Sequence, residues 1–119
     1  MEAQYIIFDF KGLWEIPSKC GVRIWERENC QVVIVSELYR ENPGSSIAQV
    51  SASLAMQICN VYGLDYKRLI YIEHNPAIDS KLSFYDEEMF LVRFDTDDFG
   101  LTNPSWERID VEQIKKYIE

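Results

Sequence analysis

The stretch YIEHNP, residues 71–76, sets the chain's single histidine beside a glutamate where an apolar run meets a proline. Imidazole titrates near neutrality, so a histidine with a carboxylate in hydrogen-bond reach can accept and return protons. Glu37 ends a comparable apolar run, VVIVSEL at 32–38. If both runs are strands lying parallel and adjacent, their carboxyl ends fall together, where crossover folds tend to place ligands. Glu37, Glu73 and His74 are therefore the candidate catalytic residues. Strand geometry works against them as a set. Successive strand residues point to opposite faces, so Glu73 and His74 share a target only if the strand has already ended. The plain alternative is a histidine that satisfies nearby backbone or faces water.

A second constellation is Arg23, Trp25 and Arg27, alternating along VRIWER so that all three share one strand face. A tryptophan flanked by two guanidinium groups can stack and clamp a ligand or a nucleic-acid strand. The competing expectation is a packed Trp25 with arginines paired to acids. The segment NPGSSI (42–47) carries a glycine ahead of a helix but lacks the Gly-Lys-Ser/Thr ending of a phosphate loop, and a turn with a cap is the simpler assignment. No HExxH, GxSxG or paired-cysteine signature occurs, so no metal and no cofactor are expected.

These residues need elements to position them. QYIIFDF (4–10) is expected as a first strand, broken around Gly12 and Pro17. VRIWER (22–27) and QVVIVSEL (31–38) form a hairpin around Glu28 and Asn29; a two-residue turn sets Trp25 opposite Val32 and Ile24 opposite Val33. The second of these strands is apolar on both faces, as is RLIYIEHN (68–75), which marks both as central. Between them Ile47, Val50, Leu54, Ile58 and Val61 recur at helical spacing over 46–62, with Ser46 and Gln49 as a capping box and Gly63 as the terminating residue. One helix within about thirty residues is the usual crossover between parallel strands. MFLVRFD (89–95) is a fifth strand with Phe90, Val92 and Phe94 on its inner face. Asp110 with Gln113 caps a closing helix, and Ile109 can staple to Ile114. The expected architecture is one α+β domain over 1–119. It is a five-stranded mixed sheet in the order βββαββα, with a central parallel crossover and two helices packed on the sheet.

Composition bounds the partners. The 119 residues are 47% apolar and carry a net charge of −8. Residues 86–112 hold nine carboxylates against Arg93 and Arg108. An acidic chain does not release counterions from phosphates, so no nucleic-acid partner is expected. No apolar run approaches the ~18 residues a membrane helix needs, and MEAQYIIFDF does not read as a signal peptide. Three cysteines, Cys20, Cys30 and Cys59, are odd in number and lack CxxC spacing, which suits reduced thiols in a cytoplasm.

The segments GVRIW (21–25), VVIVSEL (32–38), NPGSSI (42–47) and IEHNP (72–76) together resemble short bacterial proteins of uncharacterised function, over the middle half of the chain. The resemblance implies a bacterial cytosolic origin and assigns no activity and no site residue. The favoured function is a small soluble interaction or binding protein without catalytic activity. The alternative is a small enzyme or ligand-binding domain centred on Glu37, Glu73 and His74. A protein partner or a homodimer is expected, because residues 45–64 carry no charge and the Trp25 face lacks cover if both helices lie on the other side of the sheet. The monomeric alternative has loops 11–19 and 76–88 folding over that face.

Overall fold

In the computed structural model, residues 3–38, 47–75 and 88–119 are described. Six strands form one mixed sheet in simple sequence order: β1 (Ile6–Lys11), β2 (Pro17–Glu26), β3 (Gln31–Glu37), β4 (Leu69–Asn75), β5 (Glu88–Asp97) and β6 (Gly100–Arg108). Every neighbouring pair is antiparallel except β3 and β4, which are parallel. Two helices, α1 (Ser51–Tyr62) and α2 (Val111–Ile118), complete a single compact α+β domain. No described helix is long and apolar enough to cross a membrane.

The β2–β3 hairpin has the register expected from its sequence. The Arg27 N–H donates to the Cys30 carbonyl at 2.9 Å, Glu28 and Asn29 form the turn, and Trp25 faces Val32. β3 and β4 lie at the centre of the sheet. Val32, Val33, Val35 and Ile72 are fully buried, since both faces of these strands are covered. The α1 segment opens with a 3-10 turn at Ile47–Val50 before the regular helix begins at Ser51. It ends at Gly63, whose φ of 66° is left-handed, and the Leu64 N–H folds back to the Cys59 carbonyl at 2.9 Å. The expected Ser46–Gln49 capping box lies outside the described residues. Val61, expected on the inner stripe, is exposed; the buried face is Ser51, Leu54, Ala55, Ile58 and Cys59. At α2 the expected capping box is present, with Asp110 accepting from the Gln113 N–H at 2.9 Å and the Gln113 side chain accepting from the Asp110 N–H at 2.9 Å.

Three expectations need correction. The sheet has six strands, not five, because Gly100–Arg108 pairs with β5. Its Gly, Asn and Pro read as loop residues, yet Pro104 is tolerated on an edge strand whose N–H side needs no partner. Between Arg93 and Asp95 the register slips, and Asn103 sits there with a φ of 49°. The second strand, expected at 22–27, starts at Pro17 and pairs back on β1, so no long loop spans 11–19. Finally, the two helices do not share a face. Leu54, Ala55 and Ile58 of α1 pack with Val33, Val35, Tyr71 and Val92. Ile109 and Ile114 pack with Val32, Ile34, Ile72 and Leu91 from the opposite side, and Trp25 lies against that second cluster. The Trp25 face is thus covered by α2. Of the second expected covering loop, 76–88, all but Glu88 lies outside the described residues.

Consecutive residues of α1 touch the two edges of the sheet. The Leu101 N–H of β6 lies 3.4 Å from Met56 Sδ, while Gln57 holds the Lys11 main chain of β1 through both its N–H, at 3.0 Å, and its carbonyl, at 3.1 Å. Laid flat, a six-stranded sheet separates its edges by about 24 Å, roughly twice the width of a helix. The sheet must therefore curl around α1. This curvature brings β6 toward the residues of β3 and β4 that face the helix.

Candidate functional site at a buried glutamate

Glu73 sits inside the curl. It pairs in register with Val35 on β3 and Phe90 on β5, and it points toward α1. It is fully buried. Ser51, the first residue of α1, donates to Glu73 Oε1, and the Trp106 Nε1–H of β6 donates to Oε2 at 3.1 Å. Both partners are neutral, and among the described residues no cation pairs with this carboxyl. Burial raises the Glu73 pKa above the ordinary carboxylate value; the Ser51 and Trp106 hydrogen bonds oppose that rise, and the nearby Glu37 charge adds to it.

The surroundings can accommodate a protonated Glu73. Ser51 Oγ also lies 3.2 Å from the carbonyls of Ile47 and Ala48. A hydroxyl has one proton, so a neutral Glu73 can donate to Ser51 Oγ while Ser51 donates to one of those carbonyls. Glu37, buried two residues beyond Val35 on the same face of β3, sits opposite Cys20 of β2. Burial, with a smaller contribution from Asp9, pushes the Cys20 thiol up to about 12. Tyr71, two residues before Glu73, is fully enclosed, and its hydroxyl has no hydrogen-bond partner among the described residues. Burial first, then the charge of Glu73, holds its pKa well above the usual phenol value. An otherwise apolar core thus encloses two carboxyls and a phenol around one helix start.

Above Glu73 lies a cavity of about 340 Å³, lined by Ala48, Gln49, Glu73, Phe90 and Trp106. That volume is at the lower end of the roughly 300–1,000 Å³ typical of small-molecule sites. A second cavity of about 350 Å³ lies where β4 and β5 diverge, with Tyr66, Lys67, Arg93 and Tyr117 among its walls. The β4–β5 pairing begins only at Tyr71 and Val92, so Leu69 and Ile70 part from Arg93 and Phe94. No buried acid lines this second cavity.

The structure brings together only part of the set suggested by sequence. Glu37 and Glu73 share the α1 face and interact electrostatically. β4 continues through Asn75, so His74 points to the other face, where its Nδ1 lies 3.2 Å from Ser36 Oγ. The second constellation is dispersed among structural contacts. Arg23 stacks 5.1 Å from the centre of the Tyr5 ring, Trp25 packs under α2, and Arg27 donates to the Ile118 carbonyl at the end of that helix. Sequence reasoning missed Ser51, Phe90 and Trp106 as site residues. Ser51 lies in the charge-free stretch 45–64 without a signal of its own, and Trp106 lies in β6, a segment with no strand expected from sequence.

Comparison with family models, with curated proteins and with solved structures gave no match to this chain. The resemblance of its four short segments rests on those segments alone, and function has to be argued from the site.

Proposed function

We propose that this domain is a binding protein without catalytic activity, and that it takes a small ligand in the cavity above Glu73. The observation that carries this is a fully buried carboxyl with only neutral partners on the floor of a cavity of about 340 Å³. A buried acid without a cation is costly to a fold, and well-packed apolar residues commonly do at least as well in its place. Its presence is best accounted for by something that occupies the cavity. Binding is preferred to catalysis because His74 points away from Glu73, which leaves no acid–base pair at one spot. The three cysteines are free thiols, which suits a reducing bacterial cytoplasm. The test is nuclear magnetic resonance titration with benzyl alcohol, a neutral probe small enough for the cavity. Shifts centred on Trp106, Phe90 and Ala48 and abolished by Ala48→Phe support the reading, and the absence of any such shifts up to millimolar probe, with benzyl alcohol and with its charged analogues benzylammonium and benzoate alike, overturns it.

A second reading, self-association, is favoured by the β1–β2 turn. Trp14 is 92% exposed there with a φ of 58°, beside the exposed Leu13 and Ile16. A bulky residue held in the left-handed region with its ring in water is a candidate contact for a second copy. Light scattering over a concentration series tests it. A mass above the 14.0 kDa monomer that Trp14→Ser returns to monomer supports the dimer, and an unchanging monomer removes it.

A further inference from the structure

We propose that the ligand of the Glu73 cavity is a small organic cation, a protonated amine bearing an apolar group, held by the Glu73 carboxylate and the rings of Trp106 and Phe90. This rests on the binding reading above and names the class of ligand. Charge selects first. The cavity floor is an acid with a second buried acid, Glu37, acting on it, so an anion is repelled. A neutral ligand leaves the carboxylate as unpaired as before. An ammonium group supplies the missing charge.

The hydrogen-bond inventory selects next. Each Glu73 oxygen accepts one bond from the protein, from Ser51 or from Trp106, and a carboxylate oxygen can accept a second. An ammonium has three donors and no acceptor, so it can fill these positions without leaving a polar atom of its own stranded. The walls select the rest. Phe90 and Trp106 offer aromatic faces, which attract cations as well as apolar groups, and Ala48 leaves room between them. Glu73 has no surface open to bulk water, whereas Trp106 is 44% exposed. Binding therefore requires the Trp106 side chain to shift far enough for the head group to reach a free acceptor position on the carboxyl.

Proton balance gives the site a signature. Where Glu73 is protonated, binding of the ammonium ion releases one proton from its carboxyl to solvent, and an ion pair forms. The ionisable groups on the face of Glu73 are Glu37 from β3, Tyr71 on its own strand and Arg108 of β6, which pairs across from Phe90; Ser51 of α1, Phe90 of β5 and Trp106 of β6 do not titrate in this range. Affinity for the cation should therefore rise with pH while the amine stays protonated.

The experiment is calorimetric titration of the full chain with benzylammonium, benzyl alcohol and benzoate, three probes of similar shape and different charge. Benzylammonium should bind at least roughly tenfold more tightly than benzyl alcohol, and benzoate not at all. Its affinity should climb as pH rises above the ordinary carboxylate value of 4.5 and through the raised value of Glu73, and Glu73→Gln should remove both the climb and the preference. Equal binding of the alcohol and the ammonium overturns the ligand class and leaves the cavity reading standing. Failure of all three to bind overturns both. Should Glu73→Gln not fold, Ala48→Phe narrows the cavity without touching the carboxyl. Loss of benzylammonium binding in that variant supports the proposal, and unchanged binding overturns it.

Discussion

The two faces of the sheet are built on different terms. Beneath α2 the contacts are apolar: Val32, Ile34, Ile72 and Leu91 meet Ile109 and Ile114, with Trp25 and Tyr117 at the margin. Beneath α1 an apolar core of Phe8, Val22, Val33, Leu54 and Ile58 also encloses Glu73, Glu37 and the Tyr71 hydroxyl. Both faces cover the same central strands, so burial of β3 and β4 does not itself require polar groups. Directly beneath α2, side chains of the ordinary apolar kind are enough, and the part-buried His74–Ser36 contact is a polar pair on that face. What the α1 face adds is a set of groups whose burial lowers stability, one of which, Glu73, borders a cavity. Apolar packing accounts for one face, and the ligand proposed above is the account offered for the other.

Core deletions should expose the difference in depth. Leu54 is fully enclosed within the curl, and Leu54→Ala should cost about 3–5 kcal/mol in urea unfolding. Ile114 lies under a helix of two turns whose other positions are mostly open, and Ile114→Ala should cost less, about 2 kcal/mol. Equal costs would show that the two faces contribute alike to the fold. A smaller effect belongs to the α2 cap. Asp110→Ala removes the acceptor for the Gln113 N–H and should cost about 1 kcal/mol, with ligand binding unchanged because α2 is on the far face. The smallest effect should come from His74→Ala. Its contact with Ser36 is only part-buried, so stability should fall by no more than about 1 kcal/mol and titration with benzyl alcohol should be unaltered. A change in that titration would place His74 within the site after all.

Sequence carried the central half of this architecture and lost its margins, for physical reasons. Two-sided apolar runs and one intervening helix were enough to place β3 and β4 parallel and central, because burial on both faces leaves few other positions. The β2–β3 register followed from turn length, and the α2 cap from Asp110 and Gln113. Edge strands escape such reasoning. β6 is half-solvated and carries Pro104, Asn103 and Gly100, a composition that a loop would share. Missing β6 meant missing Trp106 and with it the enclosure of Glu73. Side assignment failed for a similar reason. An amphipathic helix reveals that it packs, but it does not reveal which of two apolar sheet faces it covers, and α2 took the one left open. Glu37 and Glu73 could be named from the chain because carboxylates stand out at the ends of apolar strands. That Glu73 is sealed by Ser51 and Trp106 depends on the curl, and long-range curvature leaves little trace in local pattern.

The central claim is that Glu73 is kept for what it binds and not for what it stabilises. Glutamine has nearly the shape of the protonated acid, with a carbonyl oxygen for the Trp106 N–H and an amide N–H for Ser51 Oγ, its amide carrying a second N–H that the acid lacks. A buried carboxyl whose folded pKa is raised contributes fully below the ordinary value of 4.5, and that contribution is lost as pH rises through the raised folded value. The decisive measurement is urea unfolding of the ligand-free protein and of Glu73→Gln from pH 4 to pH 8. The account predicts similar stability at the acid end, then a widening advantage for Glu73→Gln as pH rises. A glutamine variant less stable than the native chain across the whole range would make Glu73 a structural residue and contradict the account.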